Sequence, residues 1–323
     1  MKRGLSVKIL VSATSFANRL DSPAGKKLRS FAEEVVVNPY GRPMQPDEIL
    51  PVLQGVDGYI AGLDFITKEV IEKAPATLKA ISRYGVGYER VDVAAAKRKG
   101  ITVTNTPGAN TQAVADLTFG LLLCACRNIC VLNQQVKDGR WPRRYGVELY
   151  GKTLGILGFG SVGKAVAQRA AGFSMKTLAY DPFVSAETAA AHGCELVELS
   201  SLFKQSDFIT LHLPVTDQTR NLINAAAIDS MKQGAVLINT ARGGLIDEAA
   251  AYQALLNGKL GGLGLDAFST EPPQDNPLLR LPNVIATPHT GAHTTEAMDS
   301  MAMMSVDNLI AVLSGQPCPF VVS

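Results

Sequence analysis

Three charged side chains follow apolar segments in the second half of the chain, and their types suit acid–base chemistry on a small anion. Arg242 follows Val-Leu-Ile-Asn-Thr-Ala, Glu271 precedes two prolines, and His289 follows Ala-Thr-Pro. A guanidinium can hold a carboxylate, an imidazole can exchange a proton near neutral pH, and a carboxylate can orient that imidazole. Each residue alone could instead form a structural ion pair. Together they predict a catalytic site at the edge where open α/β sheets bind ligands.

The other three of the four histidines have sequence settings that explain them without catalysis. His192 stands at a predicted helix end, where it suits the helix dipole. His212, in Leu-His-Leu-Pro, stands at the end of a predicted strand. His293 follows soon after His289 and suits a capping role. The catalytic imidazole is therefore expected to be His289.

A glycine-rich turn, Gly-Phe-Gly-Ser-Val-Gly at residues 158–163, follows an apolar run and opens a helical one. Its first glycine permits the tight bend, the second lets the backbone approach a pyrophosphate, and the third lets the helix lie close to the strand. An ordinary glycine bend is the alternative, but the strand–turn–helix setting favours a dinucleotide site. The predicted contacts are Gly158, Gly160, Ser161, Val162 and Gly163.

An acidic residue stands where a dinucleotide site needs one. Asp181 closes the next strand, in Leu-Ala-Tyr-Asp, and its carboxylate can accept hydrogen bonds from ribose hydroxyls. The same charge would repel a 2'-phosphate, and Pro182 and Phe183 follow it with no adjacent arginine to neutralise one. The sequence therefore predicts NAD rather than NADP as the cofactor.

Short apolar runs alternate with Ala-rich helical stretches along nearly the whole chain, which is typical of parallel βαβ units and predicts an α/β fold. Strands are expected at residues 7–11, 34–38, 58–61, 79–82 and 102–105, and in a second series of six at 154–157, 177–180, 208–211, 235–239, 262–266 and 284–287. A long helix at 111–138 separates the two series, and a last helix is expected at 295–313.

The composition is that of a chain that can bury a sizeable core. Of its 323 residues, 46% are hydrophobic and 19% are charged, which excludes a disordered chain. Lys and Arg number 31 against 29 Asp and Glu, so the net charge of +2 leaves no broad basic field for nucleic acid or an anionic membrane. A small-molecule partner is expected instead.

The sequence predicts a cytoplasmic protein without a metal site. The longest apolar stretch, near residues 117–126, is far shorter than the roughly 20 residues that a bilayer requires, and the first residues lack the apolar core of a signal peptide. The five cysteines are odd in number and lack paired spacing, which fits reduced thiols. Cys124, Cys126 and Cys130 have no nearby fourth ligand for a metal.

Taken in order, these motifs resemble those of the NAD-dependent D-isomer-specific 2-hydroxyacid dehydrogenases, and most of all the phosphoglycerate dehydrogenase branch. The likeness covers nearly the whole chain. It is carried by Asn-Thr-Ala-Arg-Gly-Gly-Leu-Ile-Asp at 239–247, Glu-Pro-Pro at 271–273, Thr-Pro-His-Thr-Gly-Ala at 287–292, Arg-Tyr-Gly-Val-Gly at 83–87, Asn-Thr-Pro-Gly at 105–108 and Tyr-Asp-Pro-Phe at 180–183.

The resemblance implies specific roles. Arg242 would hold the substrate carboxylate and polarise the 2-carbonyl, His289 would exchange the hydroxyl proton, and Glu271 would keep His289 protonated over a useful pH range. The loop that begins at Arg83 would clamp the substrate. The implied substrate contacts are Arg83, Tyr84, Gly85, Val86 and Arg242. The implied contacts at the nicotinamide end are Thr240, Ala241, Arg242, Asp266, His289, Gly291 and Ala292.

The resemblance also implies nested domains. A Rossmann NAD-binding domain at 105–290 would be inserted into a smaller flavodoxin-like α/β substrate domain at 1–104 and 291–323, with the active site in the cleft. The last helix would then pack on the first domain. Members of the family usually dimerise through the cofactor domain, so a homodimer is expected that uses the long helix and the segment with Trp141.

Residues 61–63 depart from the phosphoglycerate dehydrogenase pattern, because Ala-Gly-Leu stands where Arg-Ser is common and one expected phosphate-side cation is missing. Three functions stay open. The chain could oxidise 3-phosphoglycerate to 3-phosphohydroxypyruvate with NAD, or it could reduce hydroxypyruvate, glyoxylate or another small 2-keto acid. It could also be an NAD-sensing binding protein similar to the corepressors built on this fold, although the lack of a basic patch disfavours that function.

Overall fold

The computed structural model describes residues 7–322, which form two compact units. The first unit contains residues 7–110 and 293–322, and the second contains residues 111–292. The chain thus leaves the first unit once and later returns to it. These transitions lie a few residues beyond the predicted boundaries at 104/105 and 290/291. The functional roles of the two units stay predictions at this point.

Five parallel strands form the sheet of the first unit. They are β1 (Lys8–Val11), β2 (Glu34–Val37), β3 (Gly58–Ala61), β4 (Ala80–Arg83) and β5 (Thr102–Thr104). The helices of this part are α1 (Thr14–Ala17), α2 (Pro23–Phe31), α3 (Pro46–Val52), α4 (Lys68–Lys73) and α5 (Val93–Lys99). The strand order β2-β1-β3-β4-β5 is the flavodoxin-like order, which confirms the predicted fold of this unit.

The strands of this sheet are apolar because helices cover both faces. Every residue of β3 and β4 is buried. Ile49 of α3 packs with Tyr59 in a cluster on one face, and Phe16 and Leu28 belong to the cluster on the other face. Continuous apolar strands are expected wherever a parallel sheet is covered on both sides.

Helix α5 shows how local residues set the ends of an element. Asp92 accepts a hydrogen bond from the Ala95 amide at 2.8 Å and so caps the first turn. Gly100 ends the helix with φ of 74°, a left-handed conformation that glycine adopts without a steric penalty.

The second unit contains seven parallel strands among its described residues. They are β6 (Thr153–Leu157), β7 (Lys176–Tyr180), β8 (Glu195–Leu196), β9 (Phe208–Leu211), β10 (Ala235–Asn239), β11 (Leu260–Leu265) and β12 (Val284–Ala286). Its helices are α6 (Thr111–Arg127), α7 (Ile129–Lys137), α8 (Ser161–Gly172), α9 (Ala186–Ala190), α10 (Leu199–Gln205), α11 (Ala225–Ser230) and α12 (Glu248–Leu256), with 3-10 turns at Gly243–Leu245 and Pro277–Arg280.

The strand order of this sheet is β12-β11-β10-β9-β6-β7-β8. Strands β6 to β11 therefore take the arrangement of a Rossmann sheet, as predicted, and β12 adds to the edge beside β11. The prediction of six strands missed β8. That strand has two residues and pairs only with β7, so its sequence carries no periodic pattern.

The prediction of one helix at 111–138 is wrong, because the helix breaks at Asn128. This residue adopts φ of 55°, and α6 and α7 meet at an angle of 65°. Asparagine enters the left-handed region more readily than most residues, and the Asn128 side chain also donates to the Tyr145 carbonyl at 3.1 Å. Among the described residues no single helix has the length and apolar character to cross a membrane, and only the bent pair of α6 and α7 together has them.

The last helix, α13 (Thr295–Leu313), spans the residues that the sequence predicts and belongs to the first unit. Hydrogen bonds to other parts of this unit hold it there. The Ser82 hydroxyl donates to the Ser305 carbonyl at 2.9 Å, and the Tyr84 hydroxyl donates to the Met298 carbonyl at 3.0 Å. The buried Asn308 amide donates to the Asn105 carbonyl at 2.9 Å. The carboxyl-terminal helix is thus an integral part of this sheet's packing.

Candidate active site

The glycine turn between β6 and α8 has a backbone that only glycine can form. Gly158 has φ of 90°, and a Cβ atom there would lie 2.6 Å from the His212 carbonyl oxygen. A Cβ atom on Gly163 would lie 2.2 Å from the Gly158 oxygen, so α8 must approach the turn without a side chain at this position. Gly160, by contrast, faces open space. The turn therefore leaves room for a ligand above the first amides of α8, those of Ser161 and Val162.

Asp181 lies directly after β7 and braces this turn. Its carboxylate accepts hydrogen bonds from the amides of Phe159 at 2.8 Å and Phe183 at 2.9 Å. A carboxylate has about four acceptor positions, so two bonds to the backbone leave others for hydroxyl groups. The open glycine turn, the helix amides and this carboxylate together fit the phosphates and ribose of a dinucleotide.

His289 and Glu271 form the contact on which acid–base chemistry depends. The Nδ1 atom of His289 lies 2.9 Å from both carboxylate oxygens of Glu271. Because a carboxylate only accepts, Nδ1 carries the proton in this contact, and Nε2 is left to exchange a proton with a substrate. The Phe268 amide also donates to Glu271 at 3.1 Å, which fixes the carboxylate from behind.

A buried aspartate holds the turn that carries His289. Asp266 is 1% exposed and accepts from the Thr287 hydroxyl at 2.6 Å and from the amides of Thr290 at 2.7 Å and Gly291 at 2.8 Å. These bonds enclose His289, whose φ of 50° lies in the left-handed region. Asp266 therefore orders the histidine turn. Its predicted contact with a nicotinamide stays a prediction.

Arg242 follows β10 in a turn that Asn239 shapes. The Asn239 side chain is fully buried, donates to the Arg242 carbonyl at 2.7 Å and accepts from the Ala241 amide at 3.0 Å. The hydroxyls of Thr240 and Thr118 lie 2.9 Å apart and fix the same turn to α6. No role was predicted for Asn239, although an asparagine that ends a strand before a turn is a recognisable signal.

The turn of Arg242 and the segment of Glu271 are in direct backbone contact. A Cβ atom on Gly243 would lie 1.9 Å from the carbonyl carbon of Phe268. Only glycine allows this approach, so the structure brings the predicted arginine and glutamate segments together, and the glutamate in turn contacts His289. All three segments follow strands β10, β11 and β12 at the carboxyl edge of one parallel sheet.

The predicted substrate loop lies in the first unit and is organised by Arg83, which is 6% exposed. Its guanidinium donates to the carbonyls of Gly87 at 2.8 Å, Ala61 at 2.7 Å, Gly62 at 2.5 Å and Tyr84 at 3.0 Å. The Arg83 charge is thus directed at the loop and its neighbouring turn. Contacts from Arg83, Tyr84, Gly85 and Val86 to a substrate stay predictions.

His212 is not suited to proton exchange near neutral pH. Burial lowers the pKa of His212 to about 3, and its Nε2 atom lies 2.9 Å from the Thr210 hydroxyl. The ring is therefore neutral at physiological pH, which agrees with the structural role that its strand-end position suggests.

Comparison with known proteins identifies the family. Residues 119–291, more than half of the chain, match the family described as D-isomer specific 2-hydroxyacid dehydrogenase, NAD binding domain. The chain belongs to this dehydrogenase family. The second unit is accordingly its NAD-binding domain, which confirms the cofactor predicted from the glycine turn and Asp181.

Relatives of this dehydrogenase carry different substrate names. The D-3-phosphoglycerate dehydrogenase of Methanocaldococcus jannaschii is 48% identical over 254 residues, which are 78% of this chain and 48% of that protein. The chain therefore spans about half the length of that relative. The hydroxypyruvate reductase of Thermotoga maritima is 42% identical over 300 residues, which are 91% of this chain and 96% of that protein.

A solved structure extends the likeness to both units. The D-lactate dehydrogenase of Aquifex aeolicus, complexed with NAD and lactic acid, has a TM-score of 0.82 and 29% identity to this dehydrogenase. The match covers 95% of this chain and 96% of that one. The likeness therefore includes the flavodoxin-like unit, which the family match over residues 119–291 does not reach.

The contact between Gly243 and Phe268 predicts a sharp difference between two adjacent glycines. Gly243→Ala should lower the free energy of unfolding by about 1–3 kcal/mol or more, because the new methyl group overlaps the Phe268 backbone. In Gly244→Ala the nearest atoms would lie at 3.4 and 3.6 Å, so its stability should change by no more than about 0.5 kcal/mol. Urea unfolding of both variants measures this, and equal stabilities would contradict the contact.

Proposed function

We propose that this dehydrogenase interconverts a small D-2-hydroxy acid and its 2-keto acid, with NAD as the redox partner and His289 as the general acid–base. The observation that carries the proposal is the pair of 2.9 Å contacts between His289 and Glu271 at the edge of the dinucleotide-binding sheet. A corepressor-like binding protein on this fold can retain the same three residues, so hydride turnover with NADH and a 2-keto acid is the measurement that separates it from an enzyme.

The chain's own residues would handle the proton and the substrate anion. In oxidation, Nε2 of His289 takes the hydroxyl proton, and Glu271 stabilises the imidazolium that forms; in reduction, the imidazolium returns the proton to the carbonyl oxygen. Arg242 holds the substrate carboxylate and polarises the 2-carbonyl. When bound, the nicotinamide cofactor accepts or supplies the hydride.

Cofactor contacts are proposed along the same edge. The turn of Gly158, Gly160 and Gly163, with the amides of Ser161 and Val162, would receive the pyrophosphate. Asp181 would accept from the ribose hydroxyls and disfavour NADP. The proposed contacts at the nicotinamide end are Thr240, Ala241, Arg242, Asp266, His289, Gly291 and Ala292.

Replacement of His289 tests the assignment. His289→Ala should lower turnover by about 10² to 10⁴, the usual contribution of general acid–base catalysis, and should leave NAD affinity nearly unchanged. Steady-state rates and a fluorescence titration with NADH separate the two effects. His293→Ala, an exposed histidine nearby, is the matched control. Full turnover in His289→Ala would refute the role of His289.

For the substrate, we propose 3-phosphoglycerate, with Arg90 supplying a cation for its phosphate. Residues 61–63 lack a cation, but the Arg90 guanidinium donates to the Leu63 carbonyl at 2.7 Å and lies 4.4 Å from the centre of the Phe65 ring. Arg83 joins the same turn to the substrate loop. The contacts of Arg90 with this turn support the proposal that Arg90 replaces the missing charge.

Hydroxypyruvate or glyoxylate is the second candidate. Two observations favour it. Residues 61–63 contain no cation, and the match to the Thermotoga maritima hydroxypyruvate reductase covers 96% of that protein. Both candidates require the same chemistry at His289, so they differ only in whether a phosphate must be bound.

Kinetics with Arg90→Met separate the candidates. If 3-phosphoglycerate is the substrate, the loss of one charge-assisted contact should raise its KM about 10- to 100-fold, whereas the KM for hydroxypyruvate should change little. Arg98→Met, an exposed arginine at the end of α5, serves as the control. No turnover of 3-phosphoglycerate or 3-phosphohydroxypyruvate by the unmodified enzyme, with turnover of hydroxypyruvate, would favour the second candidate.

We also propose that the dehydrogenase is a homodimer through the segment after α7. Trp141 is 82% exposed, Tyr145 is fully exposed and Tyr150 is 73% exposed, an unusual concentration of aromatic surface.

Light scattering should therefore give the mass of a dimer, and the double variant Trp141→Ser, Tyr145→Ser should shift the measured mass toward that of the monomer. Phe183→Ser, equally exposed but outside this segment, should not. A monomeric unmodified enzyme would contradict the proposal.

A further inference from the structure

The loop that carries Glu271 lies outside regular secondary structure. Residues 266–276 connect the end of β11 with the 3-10 turn Pro277–Arg280, and within the last part of this connection, residues 269–276, two prolines at 272–273 have no amide hydrogen to donate. A carboxylate that must meet His289 at 2.9 Å is thus carried by a segment that needs support from other parts of the chain. The support comes from a residue that the mechanism does not use.

Glu248, the first residue of α12, binds both ends of this loop. One of its carboxylate oxygens accepts from the Ser269 amide at 2.8 Å, and the other accepts from the Asn276 side-chain amide at 2.7 Å. Glu248 is partly buried, and its place in the first turn of α12 suits a negative charge. One side chain therefore fixes the two points between which Glu271 lies.

Asn276 makes this link rigid. Its carbonyl oxygen accepts from the Leu278 amide at 3.0 Å and caps the 3-10 turn, while its amide group donates to Glu248. Leu278 is fully buried in the core of the second unit. Rotation of the Asn276 amide group would break its hydrogen bond with the Leu278 amide. Because Leu278 is held in the core, the side-chain NH2 group of Asn276 is kept facing Glu248.

We infer that Glu248 is a positioning residue for the reaction: it holds residues 269–276 so that Glu271 faces His289. This inference rests on the proposed function, because it assigns to Glu248 a part in the same acid–base step. Both groups that Glu248 meets are donors, so the position requires two acceptors. A glutamine there offers one acceptor and turns its own amide toward the amide of Asn276.

Exchanging donor and acceptor between the two positions provides a specific test. Glu248→Gln alone sets two amide donors against each other, and Asn276→Asp alone sets two carboxylates against each other while keeping an acceptor for the Leu278 amide. The double variant places a donor at 248 opposite an acceptor at 276 and so restores the link in reverse. Glu198→Gln, an exposed glutamate before α10, is the matched control.

The expected result is a loss in kcat without a matching rise in KM. Each single variant should lose about 10- to 100-fold in kcat for reduction, the cost of a small misplacement of a reacting group, and the double variant should recover most of it.

Amide hydrogen exchange provides a second measurement that does not depend on turnover. The Ser269 amide should exchange faster in Glu248→Gln and return toward the original rate in the double variant. Unchanged kcat in Glu248→Gln, or a folded double variant as slow as the single ones, would overturn the inference. If the unmodified enzyme turns over no 2-keto acid, the proposed function fails, and Ser269 exchange still decides whether Glu248 holds the loop.

Discussion

Each sheet of this dehydrogenase is parallel, so every strand delivers its last residue to the same edge. The strands themselves are apolar because helices cover both faces, and polar chemistry is therefore confined to the segments that follow them. The glycine turn, Asp181, Arg242, Asp266 and His289 all occupy such positions in the second unit. The grouping of these residues at one edge is thus a consequence of the parallel strand direction, and the loops determine the detailed geometry.

The detailed geometry of these loops is fixed largely by carboxylates that accept hydrogen bonds from backbone amides. Asp181 braces the glycine turn, Asp266 encloses the histidine turn, and Glu248 holds the glutamate loop. The same device recurs away from the site, since Asp207 accepts from the Thr153 amide at 2.8 Å, and Asp57 accepts from the Lys8 amide at 2.8 Å. A fixed acceptor satisfies an amide that is left unpaired at the start of a strand or in an irregular segment, and so favours one conformation there.

Local signals in the sequence predicted much of this, and contacts between distant segments account for the rest. Asp92 and Gly100 mark a helix because capping depends on adjacent residues, and His289 was recognisable because its type and strand-end position are both unusual. The break at Asn128 has only a weak local signal. The hydrogen bonds from Ser269 and Asn276 to Glu248 have no local signal, because neither segment's sequence pattern indicates which distant residue it contacts.

Two arginines at the ends of strands illustrate why residue type alone does not assign a role. Both keep their charge, because a guanidinium does not lose its proton in proteins. Arg242 is partly exposed in the turn after β10, whereas Arg83 is buried and donates to four carbonyls of the loop that follows it and of the neighbouring turn. The net charge of +2 therefore says little about the role of any one cation, because position and burial decide what each cation does.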